Sequence, residues 1–257
     1  METIIGLTIP FLGTALGAAI VLMMRGGISE RTNNAMLGFA SGVMVAASFW
    51  SLLQPALEQV GEGIGNTWPV LTGFAAGICF LLTLDTVIPH QHVDDKRPEG
   101  PRSRLPRSIK MILAVALHNI PEGMAVGVVF GGVLSGNTDL TVAGALALSI
   151  GMAIQNIPEG AIISVPLRNE GKSPGKAFVW GAASGLVEPI AALATMFLLK
   201  DSSAAMPVLL AFAAGAMLYV VVEELIPSSQ KGKHSNIGTI GFALGFILMM
   251  LLDSCLE

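Results

Sequence analysis

Charged residues are scarce in this chain. Only 12% of its 257 residues are Asp, Glu, Lys or Arg, whereas 53% are hydrophobic and the mean hydropathy is +0.70. Soluble domains carry about 25% charged residues, so the composition excludes an ordinary soluble domain and indicates a membrane protein. The basic residues form no cluster interleaved with aromatic residues, which excludes nucleic acid as a partner.

Cysteine is almost absent. Cys79 and Cys255 both fall inside apolar runs, so the sequence predicts two buried thiols rather than a disulfide framework. The first residues, Met1 to Thr3, lack the positive charge that precedes a cleaved signal sequence. The first apolar run is therefore expected to remain as a membrane span.

Eight apolar runs are long enough to cross a bilayer. A hydrocarbon core of ~30 Å needs about 20 helical residues, and these runs predict an all-α, polytopic membrane protein with one transmembrane domain over residues 1–257. The predicted helices are 4–24, 34–57, 68–89, 108–131, 140–167, 174–199, 205–227 and 237–256, with a polar loop over 90–107.

The basic residues predict the orientation. Every Lys and Arg except Lys200 lies in or beside a connection from an odd-numbered to an even-numbered helix. By the positive-inside rule these connections are cytoplasmic. Both termini are then extracellular or periplasmic, and the protein is expected to be a multi-pass protein of the cell (inner) membrane.

Three pairs of segments repeat within the chain. Residues 118–123 (His-Asn-Ile-Pro-Glu-Gly) match residues 155–160 (Gln-Asn-Ile-Pro-Glu-Gly) at five of six positions. Residues 73–85 align without a gap on 241–253, and residues 39–44 align on 212–217. In the predicted orientation the members of each pair run in opposite directions. Inverted repeats are typical of transporters whose substrate site lies near mid-membrane.

Polar and ionisable side chains converge in the fourth, fifth and sixth predicted helices. An ionisable residue at a helix centre costs ~2.5 kcal/mol or more on insertion and is a functional candidate. The His and Glu of the first motif are four residues apart, hence on one helical face, and the Gln and Glu of the second motif repeat this spacing. The cluster comprises His118, Asn119, Glu122, Gln155, Asn156, Glu159 and Glu188.

A divalent metal ion explains this cluster. Three carboxylates without a counter-charge are unstable in hydrocarbon, and a bound dication supplies that charge. Neutral imidazole with carboxylates suits Zn²⁺, Cd²⁺, Fe²⁺ and Mn²⁺, whereas the lack of a thiolate cluster argues against Cu⁺. The metal is expected as a transported substrate, with no catalytic residues and no catalytic cofactor.

The paired motifs at 118–123 and 155–160 resemble the signature of the ZIP metal transporters. The short chain is similar to the prokaryotic GufA-like subgroup, and the resemblance covers essentially the whole chain. It implies a divalent-metal transporter, most often for zinc, that moves ions into the cytoplasm. It also implies eight helices in a three-two-three arrangement, a binuclear metal centre and a homodimer.

The resemblance implies a ligand set as well. One metal would be bound by His118, Glu122, Gln155 and Glu159, with Met44 nearby. The second would be bound by Asn119, Glu122, Asn156, Glu159 and Glu188, with the two motif glutamates bridging both ions. Some members carry Asp at the position of Asn156, so the occupancy of the second site stays open here.

Further residues are expected along the path. The resemblance implies a cytoplasmic exit through Asp85, His90, His92, Glu223 and Glu224. For His90 and His92 a solvated loop is nearly as good an interpretation. Ser51 is expected to line the outer path and Asp253 the outer mouth.

Two other functions fit the same residues. An intramembrane metalloenzyme would use a metal-bound water, but the first motif lacks the second histidine of an HExxH site. A proton or cation exchanger, or an efflux carrier, would use the carboxylates differently. The direction of zinc movement separates these alternatives from uptake.

Overall fold

The chain forms a bundle of long helices. The computed structural model describes residues 2–24, 27–91, 99–137, 140–199, 205–232 and 235–256. Within these ranges eight helices are long and apolar enough to cross a membrane, and β-structure is limited to an isolated bridge between His90 and Glu99. The predicted all-α class with eight spans is confirmed, and the three-two-three grouping remains a prediction.

We number the spans α1 to α8, and five of them are continuous α-helices. These are α1 Glu2–Met23, α3 Ile64–Val87, α4 Arg107–Leu134, α5 Val142–Asn169 and α8 Ile237–Leu256. The other three spans are interrupted. Span α2 contains Glu30–Ala47, a π-helical segment Ser48–Leu53 and Gln54–Val60; α6 contains Pro174–Ser184 and Val187–Leu199; α7 contains Met206–Val220, a π-helical segment Val221–Leu225 and Ile226–Ser229.

Side-chain caps fix where several helices begin. The side-chain oxygens of Ser29, Thr141 and Ser173 each accept a hydrogen bond from the backbone N–H three residues further on. Such caps satisfy amide groups that have no partner inside the helix. Because Ser29 caps α2, this helix begins at Glu30 and not at the predicted Asn34.

The two π-helical segments lie at corresponding positions of the repeat. Extending the alignment of Phe39 with Phe212 pairs Ser48 with Val221, which are the first residues of the two segments. Short π-helical stretches interrupt α-helices mostly at functional sites. Their correspondence fits the predicted inverted repeat.

Glycines bring the helices together in pairs. A Cβ atom added at Gly42 of α2 would lie 2.0 Å from the Phe242 carbonyl oxygen of α8, and one added at Gly77 of α3 would lie 2.0 Å from the Phe212 carbonyl oxygen of α7. Small residues permit such close helix contacts in membranes. In the repeat α2 corresponds to α7 and α8 to α3, so these two pairs are equivalent. Helices α1 and α5, and α4 and α6, form two further pairs.

The two cysteines are exposed. Cys79 of α3 and Cys255 of α8 lie on the outer surface of the bundle, so the prediction of buried thiols was wrong. Exposed apolar side chains, including Leu82 and Leu251, occupy the same two helices. An apolar run does not distinguish a lipid-facing position from a core position, because both lack water.

Candidate metal centre

Helices α4 and α5 bring the two repeated motifs together. His118 and Glu122 lie one turn apart on α4, as do Gln155 and Glu159 on α5. The exposed fraction of each of these four residues is 7% or less. The fold therefore withdraws an imidazole, an amide and two carboxyl groups from solvent.

The glycine that ends each motif allows a neighbouring helix to pack closely against it. A Cβ atom at Gly123 would lie 2.3 Å from the Glu188 carbonyl oxygen of α6, and one at Gly160 would lie 2.0 Å from the Thr14 carbonyl oxygen of α1. Any side chain at these positions would displace the neighbour. The motif glycines thus bring Glu188 and Thr14 up to the polar cluster.

Several buried oxygen atoms in this cluster lack a hydrogen-bond donor among the described residues. They are both carboxylate oxygens of Glu122, Oε2 of Glu159, Oε1 of Gln155 and Oδ1 of Asn119. Glu122 is also close enough to Glu159 and Glu188 for their charges to repel. Buried acceptors without donors are costly, and oxygen atoms beside an imidazole form a ligand set that suits Zn²⁺ and similar dications.

Both carboxylate oxygens of Glu188 accept hydrogen bonds. Its Oε1 accepts from Thr14 Oγ1 at 2.9 Å and from Asn119 Nδ2 at 2.8 Å, and its Oε2 accepts from Asn156 Nδ2 at 2.8 Å. These bonds join α1, α4, α5 and α6. Sequence reasoning missed Thr14, since no motif surrounds it and its partner lies far along the chain.

Glu224 lies beside His118. One carboxylate oxygen of this α7 residue contacts His118 Nδ1. The sequence predicts Glu224 on the cytoplasmic exit, and the structure brings it into contact with His118, the first polar residue of the α4 motif.

A cavity of about 460 Å³, which we call the inner cavity, opens onto this cluster. His118, Glu159 and Glu224 line its inner end, and Glu30 and Lys231 line its mouth. The mouth therefore lies beside the α1–α2 and α7–α8 connections. The sequence predicts this side of the bundle to be cytoplasmic.

A second cavity of about 260 Å³, which we call the outer cavity, lies at the opposite end of α2. Its lining includes Gln54, Glu58, and the predicted outer-path residues Ser51 and Asp253, which are joined by a hydrogen bond of 3.0 Å from Ser51 Oγ to Asp253 Oδ1. The two cavities share no lining residue. Of these two cavities, the first is the one lined by residues of the polar cluster.

Other predicted exit residues form a separate group at the end of α3. His90 Nε2 lies 3.0 Å from Asp85 Oδ1 and 3.8 Å from Glu99 Oε2, and Tyr219 donates a hydrogen bond to Asp85 Oδ2 at 3.1 Å. The ligand atoms of Asp85, His90 and Glu99 are close enough to hold one cation. Sequence reasoning missed Glu99 and Tyr219, because neither lies near Asp85 in the sequence.

Three further predicted residues are Glu223, Met44 and His92. Glu223 is exposed near the end of α7, and Met44 is fully buried in the apolar core on α2. His92 falls outside the described residues. The roles expected of all three remain predictions.

Eight membrane-spanning helices around a buried cluster of histidine, amide and carboxylate groups, with a cavity leading to it, define a metal-ion transporter. Comparison with known proteins gives the family: the model of the ZIP zinc transporter family matches residues 89–253. The chain belongs to this family of multi-pass membrane proteins.

Relatives align over nearly all of the chain. Zinc transporter ZIPB of Bordetella bronchiseptica is 40% identical, and the alignment covers 96% of this chain and 78% of that protein. Zinc transporter GufA of Myxococcus xanthus is 34% identical over 95% of each chain. Zinc transporter ZIP11 of Homo sapiens is 33% identical over 93% of each chain. The predicted membership of the ZIP family, including its GufA-like members, is confirmed.

Proposed function

We propose that this transporter carries Zn²⁺ inward, from the outer side of the membrane to the cytoplasm. The zinc transporters among its relatives support this cargo, and so does the combination of one imidazole with carboxylate and amide oxygens. Cadmium, iron(II) and manganese(II) remain further candidate cargoes. The homodimer, the inner membrane and the outer location of both termini also remain predictions.

One observation carries the proposal. Buried oxygen atoms of Glu122, Gln155 and Glu159 have no donor in the part of the chain that the structure describes. They lie on the same two helices as His118, and a cavity reaches this group. We assign these four side chains as the ligands of the transported ion. A dication would neutralise the negative charge of the two glutamates in a region where water is scarce.

The two cavities suggest a path. An ion would be captured at the outer cavity, where Asp253 offers a carboxylate, and would lose water as the helix ligands replace it. It would leave through the inner cavity past Glu224. The group formed by Asp85 and His90 would receive it near the cytoplasm, with Glu223 and His92 as further candidates on this route.

A metalloenzyme or a metal-free exchanger fits the site less well. The metalloenzyme would need a general base beside a metal-bound water, whereas the buried oxygens here suffice to surround an ion. The exchanger would leave the His118 imidazole and the Gln155 amide without a role. We therefore propose transport without enzymatic activity.

Uptake into proteoliposomes tests the proposal. Purified wild-type protein should accumulate ⁶⁵Zn²⁺, whereas E122Q should lose at least about tenfold in rate, since even the loss of an outer partner of a metal ligand costs that much. E62Q is the matched control, because Glu62 is exposed near the α2–α3 connection. Equal uptake by wild type and E122Q would overturn the ligand assignment, and zinc movement only outward from oriented vesicles would overturn the direction.

A further inference from the structure

We infer that the metal centre of this transporter holds one ion rather than two, because the amide of Asn156 closes the second position. The inference rests on the proposed function, since it concerns the number of ions at the same site. Glu188 is the residue on which it depends. In a two-ion centre this carboxylate would be a metal ligand, whereas here it already accepts three hydrogen bonds from protein donors.

The donors on Glu188 come from three different helices. Thr14 of α1, Asn119 of α4 and Asn156 of α5 all reach its carboxylate at 2.8 to 2.9 Å. Hydrogen bonds to a buried carboxylate offset part of the cost of burying its charge. Thr14, Asn119 and Asn156 are therefore positioning residues that hold Glu188.

The break in α6 adds to this stabilisation. The helix stops at Ser184 and restarts at Val187, so Glu188 lies in the first turn of a new helix of 13 residues. The N-terminal end of a helix carries partial positive charge and favours a carboxylate. Glu188 thus has a source of compensation that requires no ion.

The orientation of Asn156 is fixed on both sides of its amide. Its nitrogen faces Glu188 Oε2 and, at 3.4 Å, the Pro10 carbonyl oxygen, while its oxygen accepts a hydrogen bond from Gln155 Nε2 at 3.3 Å. A flipped amide would place its oxygen against two acceptors. A second ion would have to take this oxygen from Gln155. The Oε1 atom of Gln155 has no donor among the residues described, so it stays available to the first ion.

The carboxylates also favour a single ion at the first position. Glu122 and Glu159 supply two buried carboxylates, whose charge one dication matches, while Glu188 keeps its protein donors and Glu224 lies beside His118. The oxygen of Asn119 is also without a donor among the described residues, but it belongs to a neutral amide. A second dication at the second position would have to compete for Glu188, whose carboxylate already accepts three hydrogen bonds.

Metal stoichiometry tests the inference. Protein purified in detergent is saturated with Zn²⁺, freed of excess ion by gel filtration and analysed for zinc per chain by mass spectrometry. We expect one ion in the wild type and one in E188Q. We expect two in N156D, because an aspartate cannot donate to Glu188 and would place two carboxylates together. Calorimetric titration with Zn²⁺ provides the same count without gel filtration.

The outcomes are distinct. Two ions in the wild type that fall to one in E188Q would overturn the inference. One ion in N156D would also overturn it, because the amide would then not be what excludes the second. A wild type without bound zinc would instead contradict the proposed function, as would normal ⁶⁵Zn²⁺ uptake by E122Q.

Discussion

At the scale of single residues, the hydroxyl group of Thr14 connects α1 to the centre. We predict that T14V, which keeps the side-chain shape, lowers the free energy of unfolding by about 1.5 to 3 kcal/mol, as for a hydrogen bond to a charged group. Thermal melting in detergent measures the change. T72V is the control, because Thr72 is exposed and bonds only carbonyls of its own helix. An unchanged melting temperature for T14V would show that this bond contributes nothing.

Some site residues could be predicted from the sequence, and others could not. His118 and Glu122 are visible because their helical spacing and the repeated motif place them on one face. Thr14, Glu99 and Tyr219 are not visible, since their partners are brought near by tertiary packing alone. Glu224 was recognised as functional, but the contact with His118 depends on how α7 lies against α4, which no local pattern encodes.

The imidazole of His118 should also be required for zinc to stabilise the fold. We predict that Zn²⁺ at about 100 times its dissociation constant stabilises the wild type by about 2.7 kcal/mol and raises its melting temperature. A chelator should reverse the shift. H118A should show no shift, whereas E62Q should behave as the wild type. A full zinc shift in H118A would remove this imidazole from the ligand set.

At the scale of helices, Gly123 controls the contact between α4 and α6. We predict that G123A destabilises the protein by about 1 to 3 kcal/mol, the usual cost of overpacking, and lowers zinc uptake because Glu188 moves with α6. G175A is the matched control in the first turn of α6, where an added Cβ meets nothing within 4 Å. Melting and ⁶⁵Zn²⁺ uptake of both variants check this, and equal behaviour would contradict it.

The helices themselves were predictable, and their interruptions were not. Hydropathy over about 20 residues identifies a span, so eight were expected and eight are found among the described residues. The π-helical segments at Ser48–Leu53 and Val221–Leu225 lie within long apolar runs, and the hydropathy profile does not mark them. The break between Ser184 and Val187 lies in a run that is apolar on average, so hydropathy over about 20 residues does not reveal it, although Gly185 and Pro189 flank it.

At the scale of the whole molecule, the two cavities predict which side of the membrane each residue faces. In a C79S/C255S background, N33C should react with a membrane-impermeant maleimide only after cells are opened, because Asn33 lines the inner cavity. E58C should react in intact cells, because Glu58 lines the outer cavity. Gel-shift labelling checks both variants. The reverse pattern would invert the predicted topology.

The inner cavity has a consequence for inhibition. Its volume of about 460 Å³ lies within the range of drug-binding pockets, and it ends at His118 and Glu159. A small molecule with a chelating head group that filled it would hold these helices in the present arrangement. Such a blocker would have to cross the bilayer before it could act, so its potency on cells would follow its permeability as much as its affinity.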